Sequence, residues 1–140
     1  MRLVAALLLG LWLVGALWLT LQPGHPFPGQ VVDDNVVPFH TLAIYVRNLG
    51  SGFWMRNLFG NLGLLLPLGL LGPIAWPALG RWWLILPLAI LISGSIELAQ
   101  HWIPARSADI DDVIVNVAGA LLGYLLFCVL RSFRRPVPTT

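Results

Sequence analysis

DIDDVIVNVAGALLGYLLFCVL, residues Asp109 to Leu130, sets three carboxylates within its first four positions and then runs apolar to its end. At a rise of about 1.5 Å per residue such a run reaches about 33 Å. That is enough to cross a hydrocarbon core about 30 Å thick. Asp109, Asp111 and Asp112 at its start suit the positive end of a helix dipole. Inside it, Gly119 and Gly123 form a G-x-x-x-G pair with Ala120 between them, the spacing that lets a second helix approach closely. The stretch reads as a membrane-spanning helix with a polar mouth.

Three more apolar runs precede it, giving helices expected over about 3–21, 57–76, 82–103 and 109–130. The first, after Met1-Arg2, resembles a signal peptide at its start. It is too long for one, carries Trp12 and Trp18, and ends without a small-residue cleavage site, so an uncleaved helix is expected. The second contains Pro67 and Pro73, which spanning helices tolerate. Between the first two runs lies a loop over 23–56, with breakers Pro23, Gly24, Pro26, Pro28 and Gly29 and a turn at Asp33-Asp34-Asn35. From Pro38 to Leu49 the residues Phe39, Leu42, Tyr45, Val46 and Leu49 recur at helical spacing, predicting a short interfacial helix in that loop.

Composition agrees. Of 140 residues 58% are hydrophobic and 10% charged, and the mean hydropathy is +0.83. Soluble domains carry about 25% charged residues. The expected fold class is therefore an all-α membrane protein, a bundle of about four transmembrane helices forming a single domain over 1–140, with the lipid bilayer as its surroundings. A net charge of +2 gives no reason to expect nucleic acid. Cys128 stands alone, which excludes an internal disulfide and a thiolate metal cluster; it reads as a packing residue.

Every basic residue is Arg. With the N-terminus inside, Arg2, Arg81, Arg131, Arg134 and Arg135 fall on the cytoplasmic side, and Arg47, Arg56 and Arg106 on the other. The positive-inside rule then places both termini and the 131–140 tail in the cytoplasm.

Polar side chains recur at helical spacing on three of the runs. Asn57 and Asn61 share one face of the second; Ser93, Glu97, Gln100 and His101 share one face of the third; Asp109, Asp112 and Asn116 share one face of the fourth. Glu97 lies about 9 Å, and Asn116 about 10 Å, from the end of its helix. All three stripes approach the same membrane surface, so one outer-leaflet pocket is expected. A charged group in the bilayer costs about 2.5–3.5 kcal/mol on insertion scales, which makes Glu97 a functional candidate. Glu97 and Asp112 are candidate general bases. Asn57, Asn61, Glu97, Gln100, Arg106, Asp109, Asp112 and Asn116 are ligand-binding candidates. Arg106 can pair with Glu97 or Asp109, or clamp a phosphate or carboxylate.

Structural alternatives stand beside these. Asn61, Gln100 and Asn116 can glue helices by hydrogen bonds. Asp111 reads as a solvated helix-cap charge and His101 as an interfacial residue. Glu97, Asp109, Asp112 and Asn116 offer oxygens to a hard cation, but no recognised loop supports this, and neither metal nor cofactor is expected. His25 and His40 carry no pattern.

Asn57-Leu58-Phe59-Gly60-Asn61 followed by Pro67-Leu68-Gly69 resembles the N-x-x-G-N…P-x-G segment of the VanZ-like family. Ser93-x-Ser95-Ile96-Glu97-Leu98-x-Gln100, then Arg106-x-x-Asp109-x-x-Asp112-x-x-x-Asn116-x-x-Gly119-x-x-x-Gly123-Tyr124, is similar to its second half. The resemblance covers about Pro38 to Tyr124. One departure is Leu65, where the family often has Phe. The resemblance implies a bacterial membrane protein of a family associated with reduced susceptibility to the glycopeptide teicoplanin, with no settled mechanism. The expected role is at the outer face of the cytoplasmic membrane, in envelope or glycopeptide chemistry. A membrane-embedded enzyme acting on an anionic lipid or cell-wall precursor, and a non-catalytic binding or assembly module, are the alternatives.

Overall fold

A computed structural model describes residues 1–24 and 33–133. His25, and Arg134, Arg135 and Pro136 of the expected cytoplasmic tail, lie outside the described residues. The chain forms α1 (Arg2–Thr20), a short α2 (His40–Arg47), α3 (Gly52–Ala75), a 3-10 turn (Pro77–Leu79), α4 (Trp82–His101) and α5 (Ile110–Phe133). Four of these, α1, α3, α4 and α5, are long and apolar enough to cross a membrane. Leu3, Leu7, Leu11 and Trp18 of α1, with Leu91 and Leu98 of α4, point outward as lipid-facing residues.

The boundaries differ from expectation mainly at α3. It starts at Gly52 rather than near Asn57, because Phe53-Trp54-Met55 contains no breaker and Ser51 accepts the Met55 N–H at 3.1 Å. The helix therefore carries Arg56 and Asn57 on its first two turns. At the far end α5 continues through Arg131 to Phe133, where a cation favours the negative end of the dipole. Pro67 and Pro73 sit inside α3 without ending it.

The core is built from Leu9, Leu64, Leu65, Leu68, Ile85, Ala89, Ile96 and Ala120, with α3 central. The tightest seam joins α3 to α5. A Cβ at Gly119 would stand 1.9 Å from the Leu62 carbonyl oxygen, and one at Gly123 2.0 Å from that of Leu66. Gly69 answers from α3, where a Cβ would stand 1.8 Å from the Ala120 oxygen. The two backbones thus touch, as the G-x-x-x-G spacing predicts.

All four long helices bring an end to one acidic end of the bundle: α1 finishes there, α3 begins, α4 finishes and α5 begins. Loop residues are clipped across it. Asn35 N–H donates to Ala108 O at 2.8 Å and Ile110 N–H to Asn35 O at 3.0 Å, a one-residue parallel bridge between Asn35 and Asp109.

Asp111 corrects an expectation. It is not a solvated charge but fully buried, and its carboxylate accepts the N–H groups of Phe39 (2.5 Å) and Leu42 (3.0 Å). Those amides open α2 and have no partner within it. An acid from one helix therefore caps another, and α2 is held against α5.

Candidate functional site

A cavity of about 870 Å³ lies at the acidic end, between α1, α2 and α3 and beneath the 105–109 turn. Six of the residues singled out from sequence line it: Asn57, Asn61, Gln100, Arg106, Asp109 and Asp112. Glu97 and Asn116 face the interior but stand behind its wall.

The local chemistry explains that division. Asp109 precedes the first turn of α5 and accepts the Asp111 N–H at 2.8 Å through Oδ1, a side-chain N-cap. The same oxygen accepts from Asn35 Nδ2 at 2.8 Å. The Asp109 backbone N–H donates to Glu97 Oε2 at 2.8 Å, so Glu97 is engaged in holding the α4–α5 turn. Deeper between those helices Asn116 Nδ2 donates to Ser93 Oγ at 2.8 Å, both side chains buried. Asn116 Oδ1 has no partner among the described residues. Asn116 joins two helices, one of the two roles its sequence position allowed.

Asp112 differs from its neighbours. It sits on the cavity wall, accepts from the Tyr45 hydroxyl at 3.2 Å, and has the Asn61 amide beside it. Burial, then the Asp112 charge, raises the Tyr45 pKa, so this phenol stays protonated and donates.

Two candidates hold the end of α1. Gln100 Nε2 donates to Thr20 O at 3.0 Å; Arg106 donates through Nε to Gln22 O at 3.0 Å and through Nη2 to Leu19 O at 3.4 Å. These carbonyls belong to the last turn of α1 and the residues just after it, which have few or no partners of their own. Arg106 forms no ion pair with Glu97 or Asp109; its guanidinium bridges α1 to the α4–α5 turn instead. Outside the cavity, exposed His101 pairs with Asp34 and packs edge-on against Trp102. Asp34 Oδ1 accepts the Ala108 N–H at 2.8 Å, and this bond, with His101 beside it, holds the Asp34 carboxyl below its usual range.

Sequence reading missed four contributors: Tyr45, Asn35, Arg56 and Trp12. Tyr45 had a visible signal, since it lies on the apolar face of the short helix yet carries a hydroxyl that needs a partner when buried. Arg56 lines the cavity one residue before Asn57, and among the described residues neither side chain makes a hydrogen bond. Trp12 lines the opposite end and donates through Nε1 to Leu64 O at 2.9 Å. Nothing in the pattern of α1 distinguishes it from Trp18.

The cavity thus has a polar rim, with cationic Arg56 and Arg106, the acids Asp33, Asp109 and Asp112, and hydrogen-bonding Asn57, Asn61 and Tyr45. Its deeper wall is apolar, made by Trp12, Ala16 and Leu64. Such a lining can hold a molecule with a hydrogen-bonding head and a hydrocarbon body. No curated protein and no solved structure gives a significant match. The family model for VanZ/LLP1 matches residues 5–131, all but the ends of the chain, and the chain belongs to the VanZ/LLP1 family.

Proposed function

We propose that this chain acts at the outer face of the bacterial cytoplasmic membrane, both termini inside, where it engages the anionic head group of an envelope lipid or cell-wall precursor and lowers susceptibility to glycopeptides such as teicoplanin. The observation that carries the reading is the cavity at the acidic end, where Arg56 and Arg106 stand on a rim shared with Asp33, Asp109 and Asp112, and where Arg56 makes no side-chain hydrogen bond among the described residues. The distribution of Arg supports the orientation, and family membership supports the link to glycopeptides.

The test is the teicoplanin susceptibility of a sensitive host carrying wild type, Arg56→Gln or empty vector. Arg56 is exposed and makes no side-chain hydrogen bond among the described residues, so Arg56→Gln keeps normal membrane levels. Wild type is expected to lower susceptibility and Arg56→Gln to return it to the vector level. A wild-type protein that changes nothing ends the glycopeptide reading. A reporter fused at Thr140 that proves extracytoplasmic ends the outer-face reading.

A second reading, an enzyme acting on the same lipid, draws on one observation: Asp112 faces the cavity beside Tyr45 and Asn61. Of the two carboxylates considered as general base it is favoured, because Glu97 accepts the Asp109 N–H away from that space. Asp112→Asn that retains the full phenotype argues for a non-catalytic binding module.

A further inference from the structure

The cavity continues past its rim. Along α1 its lining reaches from Thr20 to Trp12, a depth of about 12 Å at 1.5 Å per residue. Along α3 it reaches from Phe53 to Leu64. At that depth in a membrane the surrounding solvent is hydrocarbon, and an unfilled apolar space forfeits the contacts its walls would otherwise make.

Three glycines on these walls are not there for helix packing. Around a Cβ built at Gly15, Gly60 or Gly63 nothing lies within 4 Å, whereas at Gly69, Gly119 and Gly123 it would collide with backbone. Helix interiors disfavour glycine relative to alanine by about 0.5–1 kcal/mol; Gly10 and Gly94 are open too but lie outside the cavity, so it is the placing of these three on its walls that bears on its width. Trp12 closes the bottom of the space with its bond to Leu64 O. α1 itself buries only Ala5 and Leu9.

We infer that this space is a slot for a single hydrocarbon chain, and that the ligand is an amphipathic phosphate-bearing lipid with its head at Arg56 and its chain lying between α1 and α3 above Trp12. The head-group half rests on the function proposed above; the chain half rests on the open glycine wall and the apolar depth. Affinity then depends on chain length as well as on charge, since each buried methylene contributes to burial of apolar surface.

Protein purified in a neutral detergent is titrated with dodecyl phosphate and with butyl phosphate, and bound probe is read by native mass spectrometry. Wild type is expected to prefer dodecyl phosphate by at least tenfold. Gly60→Leu with Gly63→Leu fills the slot, abolishing that preference while leaving butyl phosphate binding unchanged. Gly94→Leu, also in open space but outside the cavity, keeps the wild-type preference. Arg56→Gln weakens both probes alike. Equal binding of the two probes by wild type overturns the slot and leaves the head-group reading standing. So does a filled variant that keeps the preference. If wild type binds neither probe, the head-group reading falls and the slot falls with it. Should the α3 pair lose folded protein, Gly15→Leu repeats the test from the opposite wall.

Discussion

Glycines on α3 and its neighbours serve two opposite ends. Between α3 and α5, Gly69, Gly119 and Gly123 remove side chains so that two backbones can touch; between α1 and α3, Gly15, Gly60 and Gly63 have no atom within 4 Å of where a Cβ would stand. The residue type is the same and the sequence spacing similar. The contrast separates a seam of touching backbones from an open cleft, and it repeats at adjacent acids. Asp111 is buried and caps α2, while Asp112 looks into the cavity.

The largest effect expected from breaking this contrast is at the seam. Gly119→Leu drives a side chain into the Leu62 carbonyl and forces α3 and α5 apart, at about 1–3 kcal/mol or more for overpacking. The purified protein should melt markedly earlier in detergent or fail to yield folded material; an unchanged melting temperature contradicts the close approach. Next comes Asp111→Ala. It strips partners from the part-buried Phe39 and Leu42 amides, at about 0.5–1.5 kcal/mol for each hydrogen bond lost. Limited proteolysis within 40–47 should accelerate, and Asp112→Ala, which removes from that segment only the 3.2 Å bond of the Tyr45 hydroxyl, should accelerate it less. If both variants behave alike, the two acids do not divide as described.

In the cleft the sign reverses. Gly63→Ala meets nothing within 4 Å and should stabilise by about 0.5–1 kcal/mol, seen as a slightly later melt. A loss comparable to that at Gly119 would show that the cleft is packed. The smallest effect concerns pH at the clip beside the cleft. The Asp34 carboxyl is held low, first by the Ala108 N–H and then by His101, so its contribution is complete above the ordinary carboxylate pKa of about 3.9. It is lost only as pH falls through the lowered value. The Ala108 amide NMR shift should therefore move as pH falls through the lowered value, and Asp34→Asn should remove that movement. A movement in that acid range that survives Asp34→Asn would contradict the assignment.

The helices were legible because apolar runs long enough to cross a membrane have few other uses, and the seam was legible in Gly119 and Gly123. Six of the eight ligand candidates line the cavity; helical spacing fixes the shared face for those on helices, while Arg106 reaches it from the α4–α5 turn. What escaped the sequence depended on contacts between distant segments. Asp111 was misread because its partners, Phe39 and Leu42, lie about seventy residues away and offer only backbone groups, which leave no trace in side-chain pattern. Arg106 pointed to an ion pair or to a clamp on a phosphate or carboxylate, yet the carbonyls closing α1 lie within reach of its fork. Glu97 read correctly as buried, but helical periodicity cannot tell a cavity wall from the layer behind it.

The bond from Trp12 to Leu64 O implies an asymmetry in mutational tolerance. Its acceptor is a main-chain carbonyl, present whatever residue occupies position 64. Substitutions there can drift among apolar types without erasing the contact. Its donor is the one N–H of an indole, which neither phenylalanine nor leucine can replace. Across divergent copies of this chain, position 12 should therefore vary less than position 64, although it is the more exposed of the two.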